Sequence, residues 1–237
     1  MKFIDQLKEK AKQNKKTIVL PETSDMRTIE AAGKVLAEGI ANIILVGDKE
    51  DIMSRAGDID LSGASFVDPK NYEKFDEYVD AFVEMRRKKG MTEARAKELL
   101  LTNPLYFGCM MVKQDDADGM VAGAINASAD VLRAALQTLK TAPGTRIVSA
   151  FFLVVVPDCQ YGANGTFVFA DAGLNQSPSA SELADIAEQS AKSFELLVDE
   201  TPVVAMLSHS TKGSAKHPDV DKVIEATEIV NAEFPDL

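Results

Sequence analysis

The stretch "TIVLPETSDMRTIEAAGKVLAEGIANIILVGD", residues 17–48, decides the fold class. Its first apolar run ends at Pro21 and reads as a buried strand, "TIVLPE" (17–22). Ser24 or Asp25 then suits a helix N-cap, because a short polar side chain can accept from a free first-turn N–H. Ile29, Ala32, Val35 and Leu36 share one helical face, and Gly39 suits the end of that helix. "ANIILVGD" (41–48) is the next strand. The short helical piece "DIMSRAG" (51–57) and a third strand, "ASFVDP" (64–69), follow. Strand, helix, strand, short helix, strand is the rhythm of parallel α/β units.

Working outward, "NYEKFDEYVDAFVEMRRKKG" (71–90) and "MTEARAKELLL" (91–101) read as helices broken at Gly90, with Thr92 capping the second. "PLYFGCMMVKQ" (104–114) continues as an apolar helix and "DGMVAGA" (118–124) as a short strand. "SADVLRAALQTLKTA" (128–142) is a helix with Ser128 available as its cap and Asp130 in its first turn. The character changes near Pro143–Gly144. "RIVSAFFLVVVPD" (146–158) is wholly apolar in its centre and is expected to be a strand buried on both faces if it is central. Asn164–Gly165 is a turn signal that pairs it with "TFVFAD" (166–171) as a hairpin. A helix with the capping box Ser179–Glu182 follows, then the strand "PVVAMLS" (202–208) and the helix "HPDVDKVIEATEIVNAEF" (217–234). The expected domains are 1–145 and 146–237. An α/β unit normally returns its helix to another strand, and here only "PDL" follows. The expectation is a chain cut inside its second domain.

The 237 residues carry a formal net charge of −11, with 46% hydrophobic and 27% charged residues. So acidic a surface, with a pI near 4.7, disfavours nucleic acid and anionic membranes as partners. Two cysteines and two histidines, without a CxxC pair, argue against a structural metal site. Phe3, Ile4, Leu7 and Ala11 fall on a helical spacing, without the continuous apolar core of a signal peptide. No run reaches the roughly 18 apolar residues of a membrane span. The expected compartment is the cytoplasm.

Ligands of α/β folds gather at strand carboxyl ends, and three such ends carry suggestive groups. "SHSTKGSAKHP" (208–218) offers hydroxyls, Lys212 and backbone N–H groups suited to a phosphate or a carbonyl-derived oxyanion. It lacks nucleotide P-loop spacing. The plain reading is that Ser210 or Ser214 caps a helix and Lys212 and Lys216 are solvated; on local pattern alone the plain reading wins. "FADAGLNQSPSASE" (169–182) offers Asp171 as an orienting or proton-accepting group, or as an ordinary loop carboxylate. In "AGAINASADVLR" (122–133), Gly123 permits close backbone approach and Arg133 lies in the following helix, where it reads equally as a surface arginine. Arg86, Arg87, Lys88 and Lys89 form the strongest basic run. They suit a polyphosphate ligand or a helix C-terminus, and the two readings weigh equally. Cys109 reads as a buried apolar residue. Cys159 stands at a strand end beside no activating neighbour.

"LPETSDMRTIEAA", "NPLYFGCMMVKQDDADGMVAGA", "SAFFLVVVPDCQYGANGTFVFADAG" and "AMLSHSTKGSAK", in this order, resemble the phosphate acetyltransferases over essentially the whole chain. The resemblance implies two α/β domains with largely parallel sheets and a cleft between them, similar to isocitrate and isopropylmalate dehydrogenases, the second domain incomplete here. It implies reversible acetyl transfer between acetyl-CoA and inorganic phosphate, giving acetyl phosphate and CoA. It also implies a homodimer with no metal and no tightly bound cofactor. It matches Arg86, Arg133 and Cys159 to CoA-site residues, and Ser210, Thr211, Lys212 and Gly213 to a phosphate or oxyanion wall. The family's catalytic serine, arginine and aspartate are expected beyond Leu237, so this chain alone is expected to be impaired. Competing readings are a butyryl-transferring relative and a CoA-binding or assembly module without catalysis. A nicotinamide dehydrogenase ranks last, because no GxGxxG follows a strand.

Overall fold

The computed structural model describes residues 3–237. Two compact units divide between Lys140 and Thr141.

The first unit opens with α1 (Phe3–Gln13), which buries no residue. Its sheet is built from β1 (Thr17–Leu20), β2 (Asn42–Val46), β3 (Ser65–Val67) and β4 (Gly119–Met120), all parallel in the order β3-β2-β1-β4. Side-chain alternation sends Leu20, Ile43 and Leu45 to one face and Val19, Ile44 and Val46 to the other. On the first face they meet Ile29 and Ala32 of α2 (Met26–Glu38) and Ile52 and Ala56 of α3 (Lys49–Ala56). Asp25 rather than Ser24 caps α2, accepting from Arg27 N–H, and Gly39 closes the helix in the left-handed region. On the second face lie α4 (Phe75–Arg86), α5 (Glu93–Thr102), α6 (Pro104–Lys113) and α7 (Ser128–Thr138). A 3-10 turn, Arg87–Lys89, ends at Gly90. Thr92 caps α5, and Asn103 with Pro104 opens α6.

Residues 105–111 of α6 are all buried, as expected for a helix apolar on every side. Cys109 is among them, and burial pushes its thiol pKa up. Asp116, between α6 and β4, accepts from Tyr72 at 3.1 Å and also from Lys74 and Tyr78, so one carboxylate ties the start of α4 to the end of α6. The expected Ser128 cap is not formed. Ala127 occupies the cap position of α7 and Ser128 is already inside the helix, so its side chain is displaced from the free first-turn N–H groups.

The second unit contains an antiparallel hairpin, β5 (Phe151–Val155) and β6 (Thr166–Ala170), and two packed helices, α8 (Ala180–Val198) and α9 (Pro218–Glu233). Asn164 and Gly165 take positive φ in the hairpin connection. The Ser179–Glu182 capping box opens α8. Arg146 makes a two-pronged ion pair with Asp185 of α8, at 2.7 and 2.9 Å.

Two expectations fail here. The 146–158 run is not a central strand buried on both faces. Its ordered part begins at Phe151, pairs only with β6, and leaves Phe152 and Val155 exposed, because no second neighbouring strand covers it among the described residues. The 202–208 run is extended but joins no ladder. It keeps a strand's alternation, with Val204 and Met206 against Ala184, Ala187 and Val230 while Val203 is 94% exposed. Its apolar pattern is that of a strand; the backbone partners that would make it one are not among the described residues.

Gly165 carries a specific constraint. At φ +85° an added Cβ would come within 2.1 Å of the Val156 carbonyl oxygen. Gly165→Ala is expected to destabilise the second unit by about 2 kcal/mol or more. Amide exchange across β5 and β6 measures it, and unchanged protection there would show that the turn relaxes freely.

Candidate functional site

At the carboxyl edge of the first sheet the strand order reverses between β1 and β4, where open α/β sheets place their crevice. Glu22, just past β1, is only 2% exposed. Its carboxylate accepts from the backbone N–H of Gly123 (2.5 Å), Ala124 (2.7 Å), Ile125 (3.2 Å) and Asn126 (2.9 Å), and from Asn126 Nδ2 (2.7 Å). Burial pushes the Glu22 pKa up, but the hydrogen bonds from Asn126, Ala124 and Ile125 outweigh it and hold the group below the usual glutamate range. The close approach that Gly123 permits, at φ +108°, is therefore made by the protein's own carboxylate. Arg27 reinforces the same corner, donating to Ala124 O at 2.5 Å while pairing with Asp25. Arg27 holds the Asp25 carboxyl at about 2. Beside this corner a cleft of about 260 Å³ is lined by Thr23, Ser24, Gly47, Asp48 and Lys70, among others.

The loop fixed by Glu22 leads into α7, which carries Arg133. Arg133 is exposed and pairs with Asp130 at 2.5 Å. Arg86 ends α4, half-buried, and its Nε is enclosed without a hydrogen-bond partner. Arg87 differs: it is exposed and pairs with Glu84 at 2.6 Å. Tyr106 of α6 touches both arginine-bearing helices, through Phe82 of α4 and Gln137 of α7. Burial raises the Tyr106 pKa, while the positive charges of Arg133 and Arg86 oppose that rise.

In the second unit, the Asp171 carboxylate accepts from Leu174 N–H (2.7 Å), Asn175 N–H (3.3 Å), Asn175 Nδ2 (2.7 Å) and Ala150 N–H (3.3 Å). Burial pushes its pKa up, but these bonds win and keep it below the ordinary aspartate range. It is a loop anchor rather than a proton acceptor. Cys159 lies in the β5–β6 connection, 4.0 Å from Tyr161 O. The turn before α9 lies elsewhere in the chain, and no hydrogen bond joins it to Cys159.

That turn uses most of its donors internally. Ser210 N–H donates to Ser208 Oγ (3.1 Å), Thr211 N–H to Ser214 Oγ (2.9 Å), Ser214 N–H to Thr211 O (3.1 Å) and Ala215 N–H to Ser210 Oγ (3.0 Å). Neither Ser210 nor Ser214 caps α9. His217 does, its Nδ1 accepting from Asp219 N–H at 3.2 Å, because it directly precedes Pro218 at the first helical position. The groups left facing outward are the Thr211 hydroxyl, the Lys212 ammonium and the N–H groups of Lys212 and Gly213, both at positive φ. Among the described residues no three or more His, Cys, Asp or Glu side chains gather as metal ligands do, and no helix is long and apolar enough to cross a membrane.

Glu22, Tyr106 and Gln137 were missed by sequence reasoning. Glu22 had one signal, an acid set directly after a strand-ending proline. Tyr106 and Gln137 had none, since their meeting depends on how two helices pack.

The parallel α/β unit thus carries two arginines on different helices, and the second unit a turn bearing hydroxyls and a lysine. The family model described as phosphate acetyl/butaryl transferase matches residues 2–237, and the chain belongs to that family. It is 52% identical to the phosphate acetyltransferase of Acetivibrio thermocellus, over all of this chain and 71% of that protein. It is 53% identical to the phosphate acetyltransferase of Thermoanaerobacterium thermosaccharolyticum, covering 72% of it. A phosphotransacetylase structure from Streptococcus pyogenes matches with a TM-score of 0.89 at 40% identity, over 99% of this chain and 70% of that one.

Glu22→Ala leaves four backbone N–H groups without their acceptor and is expected to cost about 3 kcal/mol. Because the folded-state pKa is lowered, the stability from Glu22 is complete above the usual glutamate range. It is lost as pH falls through that range towards the folded value. Urea denaturation across acid pH should show the substituted protein less stable near neutrality and with a shallower acid decline. Identical curves would remove Glu22 as the anchor.

Proposed function

We propose that this chain carries the acyl-CoA and phosphate recognition of a phosphate acetyltransferase, catalysing reversible acetyl transfer between acetyl-CoA and inorganic phosphate. The observation that carries the reading is identity above 50%, along the entire chain, to proteins named for that activity. The chemistry is balanced by two substrates alone. A phosphate oxygen adds to the thioester carbonyl, the carbon–sulfur bond breaks, and acetyl phosphate leaves with CoA, whose thiolate takes up a proton.

The geometry supports a division of labour. Arg86 and Arg133 suit the pyrophosphate and 3′-phosphate of CoA, since guanidinium binds phosphate through paired N–H groups. Cys159 is assigned to the same ligand as part of this proposal, on the family resemblance alone. Thr211, Lys212 and Gly213, with Ser210 fixing the turn, suit inorganic phosphate or the developing oxyanion. The two-domain arrangement with an intervening cleft, like that of isocitrate and isopropylmalate dehydrogenases, belongs to this proposal. So do the division at 145/146, the incomplete second domain, the homodimer and the cytoplasmic setting. The family description also names butyryl transfer, so butyryl-CoA is the competing acyl donor.

The test couples CoA binding by calorimetry to phosphate-dependent thiol release from acetyl-CoA on the same purified chain. Binding with release supports the reading, and faster release from butyryl-CoA reassigns the acyl group. Binding without release supports the non-catalytic module. A folded chain that binds no CoA overturns both. Where turnover is present, Lys212→Ala is expected to raise the apparent KM for phosphate about tenfold, the loss of one charge-assisted contact. The KM for acetyl-CoA should stay unchanged. A shift in melting temperature alone would make the turn purely structural.

A further inference from the structure

Tyr106 lies at the meeting point of three helices and is 7% exposed. Its ring centroid is 5.8 Å from that of Phe82 on α4. Its hydroxyl donates to Gln137 Oε1 of α7 at 3.2 Å. Phe82 stands one helical turn before Arg86, and Gln137 one turn after Arg133, so each arginine shares a helix face with one contact of Tyr106. Tyr106 thus touches the two arginine-bearing helices at matched positions. A simple core tyrosine needs an acceptor for its hydroxyl and nothing more. Here the acceptor is on the Arg133 face, and both guanidinium charges act on the hydroxyl. The enclosed Arg86 Nε finds no acceptor among the described residues.

We propose that Tyr106 and Gln137 form a positioning pair, whose hydrogen bond sets the spacing of Arg86 and Arg133 so that both engage one ligand carrying several phosphate groups. The inference rests on the CoA reading above and adds to it two residues and a basis for selectivity. With the helices held at one spacing, the arginines meet separate phosphates. With the bond broken, α7 shifts against α6, and one phosphate contact is lost rather than both.

The experiment titrates the chain, Tyr106→Phe, Gln137→Met and the double variant with CoA and with 3′-dephospho-CoA by calorimetry, with thermal unfolding alongside. Each single variant is expected to bind CoA about fivefold more weakly, the scale of one neutral hydrogen bond. The double variant should bind no worse than either single one, because both remove the same bond. The preference for CoA over 3′-dephospho-CoA should shrink in all three, with melting little changed. Unaltered CoA affinity, additive losses, or an unchanged preference would each overturn the positioning role. Should Tyr106→Phe fail to fold, Gln137→Met reads the preference by itself. If the parent chain binds no CoA, the functional reading fails, and this inference with it. If the parent binds and the variants match it, only this inference fails.

Discussion

The first unit depends on one buried carboxylate. Parallel strands leave their carboxyl ends as a row of loops, and the loop after β4 has no side-chain cap to fix its entry into α7. Glu22 supplies what is missing by gathering four successive N–H groups from that loop. A charged acceptor in a dry site bonds strongly, and each N–H it satisfies would otherwise be a buried or strained donor. The consequence is geometric. β1 and β4 are joined at the switch point, α7 begins at a fixed place, and Arg133 inherits that placement. The carboxylate also sets a sign. The corner therefore holds a buried negative charge, satisfied by the loop's own N–H groups.

The charge distribution follows the same logic in both units. On a chain with net charge −11, many cations are paired locally, as Arg87 is with Glu84, Arg133 with Asp130 and Arg146 with Asp185. Exposed pairs such as Arg87–Glu84 contribute little to stability, whereas Asp185 is buried. Arg86 is set apart from them by having no acidic partner for its enclosed Nε. In the second unit, the turn at 208–215 spends its serines on its own backbone, which fixes Lys212 and Gly213 in the left-handed region. Rigid internal bonding and outward donors are compatible uses of one turn. On the proposed phosphate reading, pre-ordering by Ser210 and Ser214 would lower the entropy lost when Lys212 meets an anion.

Local rules carried much of the fold to the sequence level. The α2 cap region, its Gly39 stop, the break at Gly90, the Thr92 cap, the Ser179–Glu182 box and the Asn164–Gly165 turn are each set within a few residues, and the structure has them. What failed was set by distant partners. The 146–158 and 202–208 runs have the composition of central strands, but a strand needs neighbours for its N–H and C=O groups, and composition does not state which neighbours are there. Ser128 failed for a smaller reason, a helix start displaced by one residue. At the candidate site, Arg86 and Arg133 were visible as cations in an acidic chain. Tyr106, which touches both of their helices, was not, because Phe82, Tyr106 and Gln137 are far apart in sequence and become neighbours only through packing of α4, α6 and α7.

The Arg86 Nε gives these parts a common energetic meaning. Leaving a buried donor without an acceptor costs about 1–3 kcal/mol, and elsewhere the unit meets its buried polar needs closely, as at Glu22 and Asp116. A surface arginine would avoid the cost by turning to water. Arg86 ends α4 one turn after the buried Phe82 and is followed directly by a 3-10 turn. The unmet donor is therefore a property of the site and not of a loose side chain. On the proposed CoA reading, a phosphate oxygen would be the acceptor that the Arg86 Nε lacks. On that same proposal, stability given up in the free chain would be returned as affinity for an anion.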